Sequence, residues 1–207
     1  MRTRIKICGI TSVDDALRCA EAGADAVGLV FYPPSPRNVT LERAAEIARA
    51  LPPFVPAVAL FVDPTPSEVE AVLERCPVGA LQFHGDEPPE LCERFGRPYL
   101  KALRVRRQVD LLESLLPYEA ASGWLLDAFH EGAYGGTGTV FDWDLVPSGL
   151  PRPVVLSGGL TPENVAEAVR RVRPWAVDVS SGVEAAKGIK DPARVAAFIA
   201  GVRNADV

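Results

Sequence analysis

The chain contains 207 residues, of which 48% are hydrophobic and 24% charged, and its formal net charge is −5. This length suits a single well-buried domain over residues 1–207, and no linker or change of composition divides it. The acidic balance, without any basic block, argues against nucleic acid as the main partner. No apolar run approaches the length of a membrane span and no signal peptide is recognisable, so we expect a cytoplasmic protein with no membrane partner.

Short β-rich runs alternate with helical patterns from one end of the chain to the other. The predicted strands span residues 4–8, 26–32, 55–62, 79–83, 99–105, 123–128, 153–156 and 176–179. The predicted helices span residues 13–22, 41–51, 66–75, 88–95, 108–116, 162–173 and 192–203, with a helical turn at 141–146. Capping residues such as Thr40 and Asp191 precede several helices, and Gly23 closes the first.

Eight strand–helix units of about 26 residues each predict a parallel sheet with right-handed crossovers. Eight such units usually close into a barrel, so the predicted fold class is α/β, a compact (βα)8 TIM barrel of the phosphate-binding type. A doubly wound open sheet is the alternative. That fold normally shows a glycine fingerprint after its first strand, which Cys8-Gly9-Ile10-Thr11 does not match.

Three glycine-rich segments follow three successive strands late in the chain, and they predict a phosphate site. Glycine lets backbone N–H groups approach an anion, and the last loops of such a barrel commonly bind phosphate. Residues 183–190 exceed a minimal unit, and we expect them to hold a short additional helix aimed at the anion. The predicted phosphate-binding residues are Gly136, Gly138, Gly158, Gly159, Ser180, Ser181 and Gly182.

The cysteines and histidines show no metal-ligand spacing, so we expect no metal site. Without an export signal, the cysteines are expected to be reduced thiols, and most of them small core hydrophobes. The residues concerned are Cys8, Cys19, Cys76, Cys92, His84 and His130. His130 is expected to be a solvated loop residue.

Few polar residues lie at the carboxyl ends of the predicted strands, where the active site of such a barrel lies. Period-two alternation turns several of them to one face of their strands. These same-face pairs are Lys6 with Cys8, Gln82 with His84, Leu125 with Asp127, and Asp178 with Ser180. A carboxylate within a strand is costly to bury without a partner, so Asp127 is a candidate functional residue. An ion pair with Lys6 or Lys101 in the barrel core is the alternative.

Cys8 differs from the other cysteines because it ends the first strand directly before a glycine-containing loop. A thiol there can act as a base once its pKa falls from about 8.5 towards neutrality, which a nearby lysine or a substrate iminium would achieve. A small core hydrophobe is the alternative. His84 could serve as a base, orient a substrate hydroxyl or cap the next loop.

Five segments taken together carry a family resemblance that covers essentially the whole chain. They are Lys6-Ile7-Cys8-Gly9-Ile10-Thr11, Gln82-Phe83-His84-Gly85, the glycine loop at 135–138, Leu156-Ser157-Gly158-Gly159-Leu160 and Asp178-Val179-Ser180-Ser181-Gly182-Val183-Glu184. In this order they resemble the phosphoribosylanthranilate isomerase family of tryptophan biosynthesis. The first and last segments are specific, whereas the glycine loops alone would not be.

The resemblance implies an Amadori rearrangement of a small phosphorylated substrate, N-(5′-phosphoribosyl)anthranilate, to 1-(o-carboxyphenylamino)-1-deoxyribulose 5-phosphate. It implies that Asp127 is the general acid and Cys8 the general base. It also places Arg37 near the anthranilate carboxylate and His84 and Asp178 along the sugar. This chemistry needs no metal and no organic cofactor.

Other functions remain open. The histidine-pathway isomerase performs the same chemistry but resembles a doubled half-barrel with an aspartate as base, which Cys8 argues against. A metal-dependent pentose-phosphate epimerase would need more histidines at the strand ends, and indole-glycerol-phosphate synthase would be longer. A phosphate-binding barrel without catalysis is the non-enzymatic alternative. A homodimer is compatible with the sequence, which indicates no interface.

Overall fold

The structure, a computed structural model, describes residues 2–105, 110–128 and 142–206. Eight parallel strands form a closed barrel in chain order, and β8 pairs with β1 to complete it. Strands β1 to β8 span Arg4–Cys8, Ala26–Phe31, Ala57–Phe61, Val78–Phe83, Tyr99–Val105, Gly123–Ala128, Val154–Leu156 and Ala176–Val179. The predicted (βα)8 fold class is confirmed.

Helices surround the barrel. Helices α1 to α7 span Val13–Ala22, Leu41–Ala50, Pro66–Arg75, Pro89–Glu93, Leu111–Leu115, Val165–Val172 and Pro192–Ala205. Short 3₁₀ turns lie at Leu116–Tyr118, Trp143–Leu145 and Ser181–Val183. No helix in the described ranges is both long enough and apolar enough to cross a membrane.

Local sequence signals explain where several helices begin and end. The side chains of Ser12, Thr40 and Asp191 each accept a hydrogen bond from a backbone N–H in the first turn of the helix that follows. Thr65 and Glu68 form a reciprocal capping box at the start of α3. At the end of α1, Gly23 adopts a left-handed φ of 102°, which glycine reaches without steric cost.

The strand register decides which side chains face the helices and which face the barrel interior. Phe31, Phe61 and Phe83 are neighbours in register on β2, β3 and β4, and their rings stack with centroids 5.4 and 6.2 Å apart in the layer beneath the helices. Because strand side chains alternate, the next residue along, His84, faces the interior. The outward aromatic stack therefore holds these strands in the register that positions His84.

The extra segment before the last helix was predicted wrongly. Instead of a short helix over residues 183–190, a 3₁₀ turn at Ser181–Val183 leads into a two-stranded antiparallel hairpin, formed by β9 (Glu184–Ala186) and β10 (Ile189–Lys190). Gly188 lies in its turn with a φ of 80°, a left-handed conformation that favours glycine. The glycine that could end a short helix instead reverses the chain.

Some predicted helices and strands are also longer than the observed ones. The helix predicted at 162–173 begins at Val165, because residues before it form a turn in which the Asn164 side chain accepts from the Thr161 N–H at 2.8 Å. The helix predicted at 108–116 is observed only as Leu111–Leu115, and residues 106–109 lie outside the described ranges. The turn predicted at 141–146 is a 3₁₀ turn at Trp143–Leu145.

Candidate active site

The five side chains predicted to catalyse or bind substrate lie around one cavity at the carboxyl ends of the strands. Cys8 ends β1, Asp127 lies in β6 and Asp178 in β8, whereas Arg37 and His84 come from the loops after β2 and β4. The structure therefore brings together residues that are up to 170 positions apart in sequence. For Cys8, His84, Asp127 and Asp178, the alternation of side chains along the strands correctly predicted the shared faces, whereas Arg37 was placed only by its loop.

Asp127 is nearly fully buried and belongs to a chain of polar side chains. Its Oδ2 lies 2.9 Å from His84 Nε2, and its Oδ1 accepts from the Ala128 N–H at 2.9 Å. Behind it, His84 Nδ1 lies 3.0 Å from Gln82 Nε2. Gln82 is fully buried, and its Oε1 has no hydrogen-bond partner in the part of the chain that the structure describes. Sequence reasoning placed Gln82 on the correct face but gave it no role.

The alternative structural partners proposed for Asp127 bind other carboxylates. Lys6 Nζ donates to Asp178 Oδ1 at 2.9 Å, across the β1–β8 pairing. Lys101 Nζ donates to Glu87 Oε2 at 2.6 Å. Asp127 instead faces the cavity and contacts His84.

Burial raises the pKa of the Cys8 thiol above its ordinary value, and the nearby Lys6 ammonium offsets part of this rise. Lys6 is the neighbouring lysine that could lower this pKa, but its effect is smaller than that of burial. The sequence indicated the lysine but not how completely the protein encloses the sulfur. The Cys8 sulfur is thus enclosed by the protein with a cation close to it.

Arg37 forms a two-pronged ion pair with Glu184, with Nε and Nη2 at 2.7 and 2.8 Å from the two carboxylate oxygens. Glu184 also accepts from Lys190 Nζ at 3.0 Å, and the same ammonium donates to the Ser180 carbonyl at 3.1 Å. Although burial alone would raise it, these cations hold the pKa of Glu184 below its ordinary value. The hairpin that replaces the expected helix therefore fixes the orientation of Arg37.

The loops after β7 and β8 form a second concavity, which adjoins the first and shares Asp127, Asp178 and Ser180 with it. Among the described residues, the N–H groups of Gly158 and Gly159 donate to no backbone carbonyl, and Ser181 and Gly182 begin the 3₁₀ turn on the other side of this concavity. The Ser180 hydroxyl is buried without a hydrogen-bond partner in the described ranges. These loops present converging donors, which suits an anion. Gly136 and Gly138 lie outside the described residues.

Two of these glycines are needed for close packing. Gly158 has a φ of 85°, and a Cβ on it would lie 2.4 Å from the Ala128 nitrogen and 2.8 Å from Asp127 Oδ1. A Cβ on Gly182 would lie 1.9 Å from the Leu160 carbonyl oxygen. The two loops therefore pack against each other, and the first also packs against the strand that carries Asp127.

A buried network beneath His84 was missed entirely. Glu87 Oε1 accepts from the N–H groups of Asp63 and Gly85, both at 3.0 Å, and Lys101 Nζ also donates to the Gly85 carbonyl at 2.7 Å. These contacts join the loops after β3 and β4. No local pattern marks Glu87 as buried, because its partner Lys101 lies on the next strand. Among the described residues, no group of histidine, cysteine and acidic side chains could hold a metal ion.

Comparison with known proteins gives one consistent result. Residues 5–201 match the family model of N-(5′-phosphoribosyl)anthranilate isomerase. The enzyme of that name from Thiobacillus denitrificans is 61% identical over 199 residues, which cover 96% of this chain and 97% of the relative.

Two solved structures extend the likeness to the fold. A phosphoribosylanthranilate isomerase in complex with reduced 1-(o-carboxyphenylamino)-1-deoxyribulose 5-phosphate is 44% identical, with a TM-score of 0.85 over 98% of this chain and 99% of that chain. A structure of monomers generated from the dimeric Thermotoga maritima enzyme is 42% identical, with the same TM-score and coverage. From the family match, the identities and the shared barrel, we conclude that this chain belongs to the N-(5′-phosphoribosyl)anthranilate isomerase family.

Proposed function

We propose that the chain isomerises N-(5′-phosphoribosyl)anthranilate with Asp127 as general acid and Cys8 as general base. The observation that carries this assignment is that a buried carboxyl on β6 and a buried thiol on β1 line one cavity beside a donor-rich loop pair. A sugar phosphate held by those loops would extend its ring between the two groups. The family membership supplies the reaction, and the cavity supports the roles.

The acid step comes first. Asp127 protonates the furanose ring oxygen, the bond from C1 to that oxygen breaks, and the nitrogen lone pair forms an iminium with C1. Cys8, as thiolate, then removes the C2 proton, and the electrons of that C–H bond form the C1–C2 double bond while nitrogen regains its lone pair. The resulting enolamine loses its C2 hydroxyl proton and gains a proton at C1, which gives the ketone. Each positioned acid or base contributes roughly 10²–10⁴-fold.

The remaining predicted residues receive binding roles. The N–H groups of Gly158, Gly159, Ser181 and Gly182, with the Ser180 hydroxyl, would hold the phosphate. Gly136 and Gly138 remain predicted members of this site.

The polar side chains of the first cavity would bind the rest of the substrate. We assign the anthranilate carboxylate to Arg37, which Glu184 keeps in place, and the sugar hydroxyls to His84 and Asp178.

The test follows the loss of substrate fluorescence. Phosphoribosylanthranilate is generated from anthranilate and phosphoribosyl pyrophosphate by the upstream transferase, with EDTA present. We expect the wild type to accelerate the decay and both Cys8→Ala and Asp127→Asn to abolish that acceleration. Unchanged decay with the wild type would contradict the function, and the histidine-pathway substrate would be assayed next. Activity that survives in Cys8→Ala would reassign the base to His84 or Asp178.

We also propose that the chain forms a homodimer in the cytoplasm, where its four free cysteines stay reduced. Phe54 supports the dimer: its side chain is 99% exposed, in the loop between α2 and β3, and its φ of 72° is rare for any residue but glycine. The relative from Thermotoga maritima is dimeric. Light scattering on Phe54→Glu tests this, with Leu116→Glu, another exposed apolar position, as control. A monomeric wild type would contradict the proposal.

A further inference from the structure

Strand β1 turns Lys6 and Cys8 to the same face, and Gly28 on the neighbouring strand provides the space that both side chains occupy. A Cβ on Gly28 would lie 2.6 Å from Cys8 Sγ and 3.0 Å from Lys6 Nζ. The sulfur and the ammonium therefore both pack over the bare Cα of one glycine. The φ of Gly28 is not positive, so this glycine is required for space and not for its backbone conformation.

Lys6 is held in this position from its other side. Its Nζ donates to Asp178 Oδ1 at 2.9 Å, and the exposed fractions of the two side chains are 6% and 5%. Although burial alone would lower it, the Asp178 carboxylate and negative charge on the neighbouring Cys8 sulfur raise the pKa of Lys6 above its ordinary value. A charged ammonium is thus present beside a sulfur that must itself become charged in order to act as a base.

We propose that Lys6 is a positioning residue for the proton-transfer step, in which its ammonium stabilises the Cys8 thiolate while Asp178 limits that stabilisation. This proposal rests on the role of Cys8 as general base. A thiolate in a buried site needs a counter-charge, and Lys6 packs against the same glycine as the sulfur. When the thiolate takes the C2 proton it becomes a neutral thiol, and the Lys6–Asp178 pair remains closed. No proton leaves the lysine.

Other charged groups also face the thiol, and they are bound to partners of their own. Lys190, on β10, is a second cation whose field lowers the pKa of Cys8, but the effect of Lys6 is larger. Lys190 and Arg37 share Glu184, and His84 contacts Asp127 across the cavity. The charged and titratable groups that face Cys8 from the surrounding elements include Lys6, Asp178, Lys190, Arg37, His84 and Asp127.

The decisive experiment removes each partner of the Lys6–Asp178 ion pair in turn. Thiolate formation at Cys8 is followed by absorbance at 240 nm as pH rises, for the wild type, Lys6→Met and Asp178→Asn. Each protein is measured against the same protein that also carries Cys8→Ala, so the signals of other cysteines and tyrosines cancel. Lys6→Met should move the Cys8 midpoint to higher pH, and Asp178→Asn should move it to lower pH, each by about one unit, a tenfold change in thiolate fraction.

A merely structural role predicts something different. Loss of either partner would then loosen the site in the same way, and both midpoints would shift in the same direction or not at all, which would overturn the proposal. If Lys6→Met does not fold, Asp178→Asn is compared with Lys6→Met/Asp178→Asn, a neutral pair of similar size. These two proteins differ only in the ammonium, so the double variant should form about tenfold less thiolate at a given pH. Equal midpoints would refute the role of Lys6.

The readout also separates this inference from the proposed function. The thiolate titration is made without substrate, so opposite shifts can be observed even if the wild type fails to isomerise phosphoribosylanthranilate. Where the wild type is active, Lys6→Met should lower kcat about tenfold near neutral pH, with a smaller change in KM. Raising the pH should restore part of that loss, because the thiolate forms at a higher pH in this variant. A structural defect would not be rescued by pH.

Discussion

The two sides of the cavity differ in the charged groups that surround the proposed base and the proposed acid. The side that holds Cys8 is lined with cations, since Lys6, Lys190 and Arg37 all lie close enough to influence the sulfur. On the other side, Asp127 contacts His84, and Gln82 lies behind the histidine. The difference matches the roles that we propose for the two groups, Cys8 as base and Asp127 as acid. A base is active as an anion and needs positive charge nearby, whereas an acid is active while it keeps its proton.

The partners of nearby cations show how this difference is maintained. Lys6 contacts Asp178 beside the sulfur, whereas Lys101, in register with the outward-facing Phe83, is held by Glu87 and packs over the Tyr118 ring. Arg104, which neighbours Asp127 in the register of β5 and β6, donates to Asp86 at 3.1 Å. Each of these cations has a carboxylate of its own, and in the part of the chain that the structure describes neither Lys6 nor Lys101 forms an ion pair with Asp127.

The largest effect on kcat should come from removing the carboxyl proton of Asp127. Asp127→Asn keeps the shape and the contact with His84 but has no carboxyl proton to donate, so kcat should fall by roughly 10²–10⁴-fold. Steady-state kinetics on phosphoribosylanthranilate measures this, and circular dichroism checks that the barrel is intact. A KM increase with unchanged kcat would show that Asp127 only binds substrate.

Removing the carboxylate partner of the buried Lys101 ammonium should lower the stability of the protein. Glu87→Gln leaves Lys101 buried without its counter-charge, and we expect the free energy of unfolding to fall by about 3–5 kcal/mol. Urea unfolding measures this. Glu87→Gln/Lys101→Met, which removes both charges, is the matched control and should lose less than the single variant. Equal losses would mean that charge is not the cause.

A smaller effect is expected from adding a methyl group next to Cys8. In Gly28→Ala, the new methyl group meets the Cys8 backbone at 3.0 Å as well as its sulfur, so we expect a loss of about 1–3 kcal/mol in unfolding free energy from overpacking. Because the displaced atoms include the Cys8 sulfur, kcat should fall even under conditions in which the variant is still fully folded. Urea unfolding and kinetics together test this, and normal kcat would show that the sulfur has room to move.

The smallest effect concerns pH and the ion pair at the rim. Because the pKa of Glu184 is lower in the folded than in the unfolded protein, its stabilisation is present above the unfolded pKa and is lost as pH falls through the folded pKa. Glu184→Gln should therefore be less stable than the wild type near neutral pH, and the gap should narrow in acid. Urea midpoints for both proteins across the acid range test this, and a constant gap would contradict it.

The sequence predicted the barrel because each strand–helix unit carries its own local signals. The bounds of β1, β5, β6, β8, α1 and α3 were all predicted correctly from apolar runs and caps. The positions of Cys8 and Asp127 followed from strand ends and alternation, and the family resemblance suggested their roles.

Other features depend on contacts between distant segments, and local patterns do not reveal them. Lys6 finds Asp178 only because β8 closes the barrel against β1 in that register. Glu87 is buried only because its loop folds back over Lys101, and Gln82 gains importance only from the histidine above it. The hairpin after β8 was missed because Gly188 is equally compatible with a helix end and with a chain reversal.

Contact between Gly158 and the strand that carries Asp127 has a consequence for substrate choice. Gly158 belongs to the loop that we propose binds the phosphate, and its backbone packs directly against Asp127, the proposed proton donor. The space between them is too small for even a methyl group. Binding energy from the phosphate end of the substrate can thus help to align its reacting end with Asp127, as enzymes often do with remote groups. A dephosphorylated analogue should therefore suffer slower turnover as well as weaker binding, even when supplied at saturating concentration.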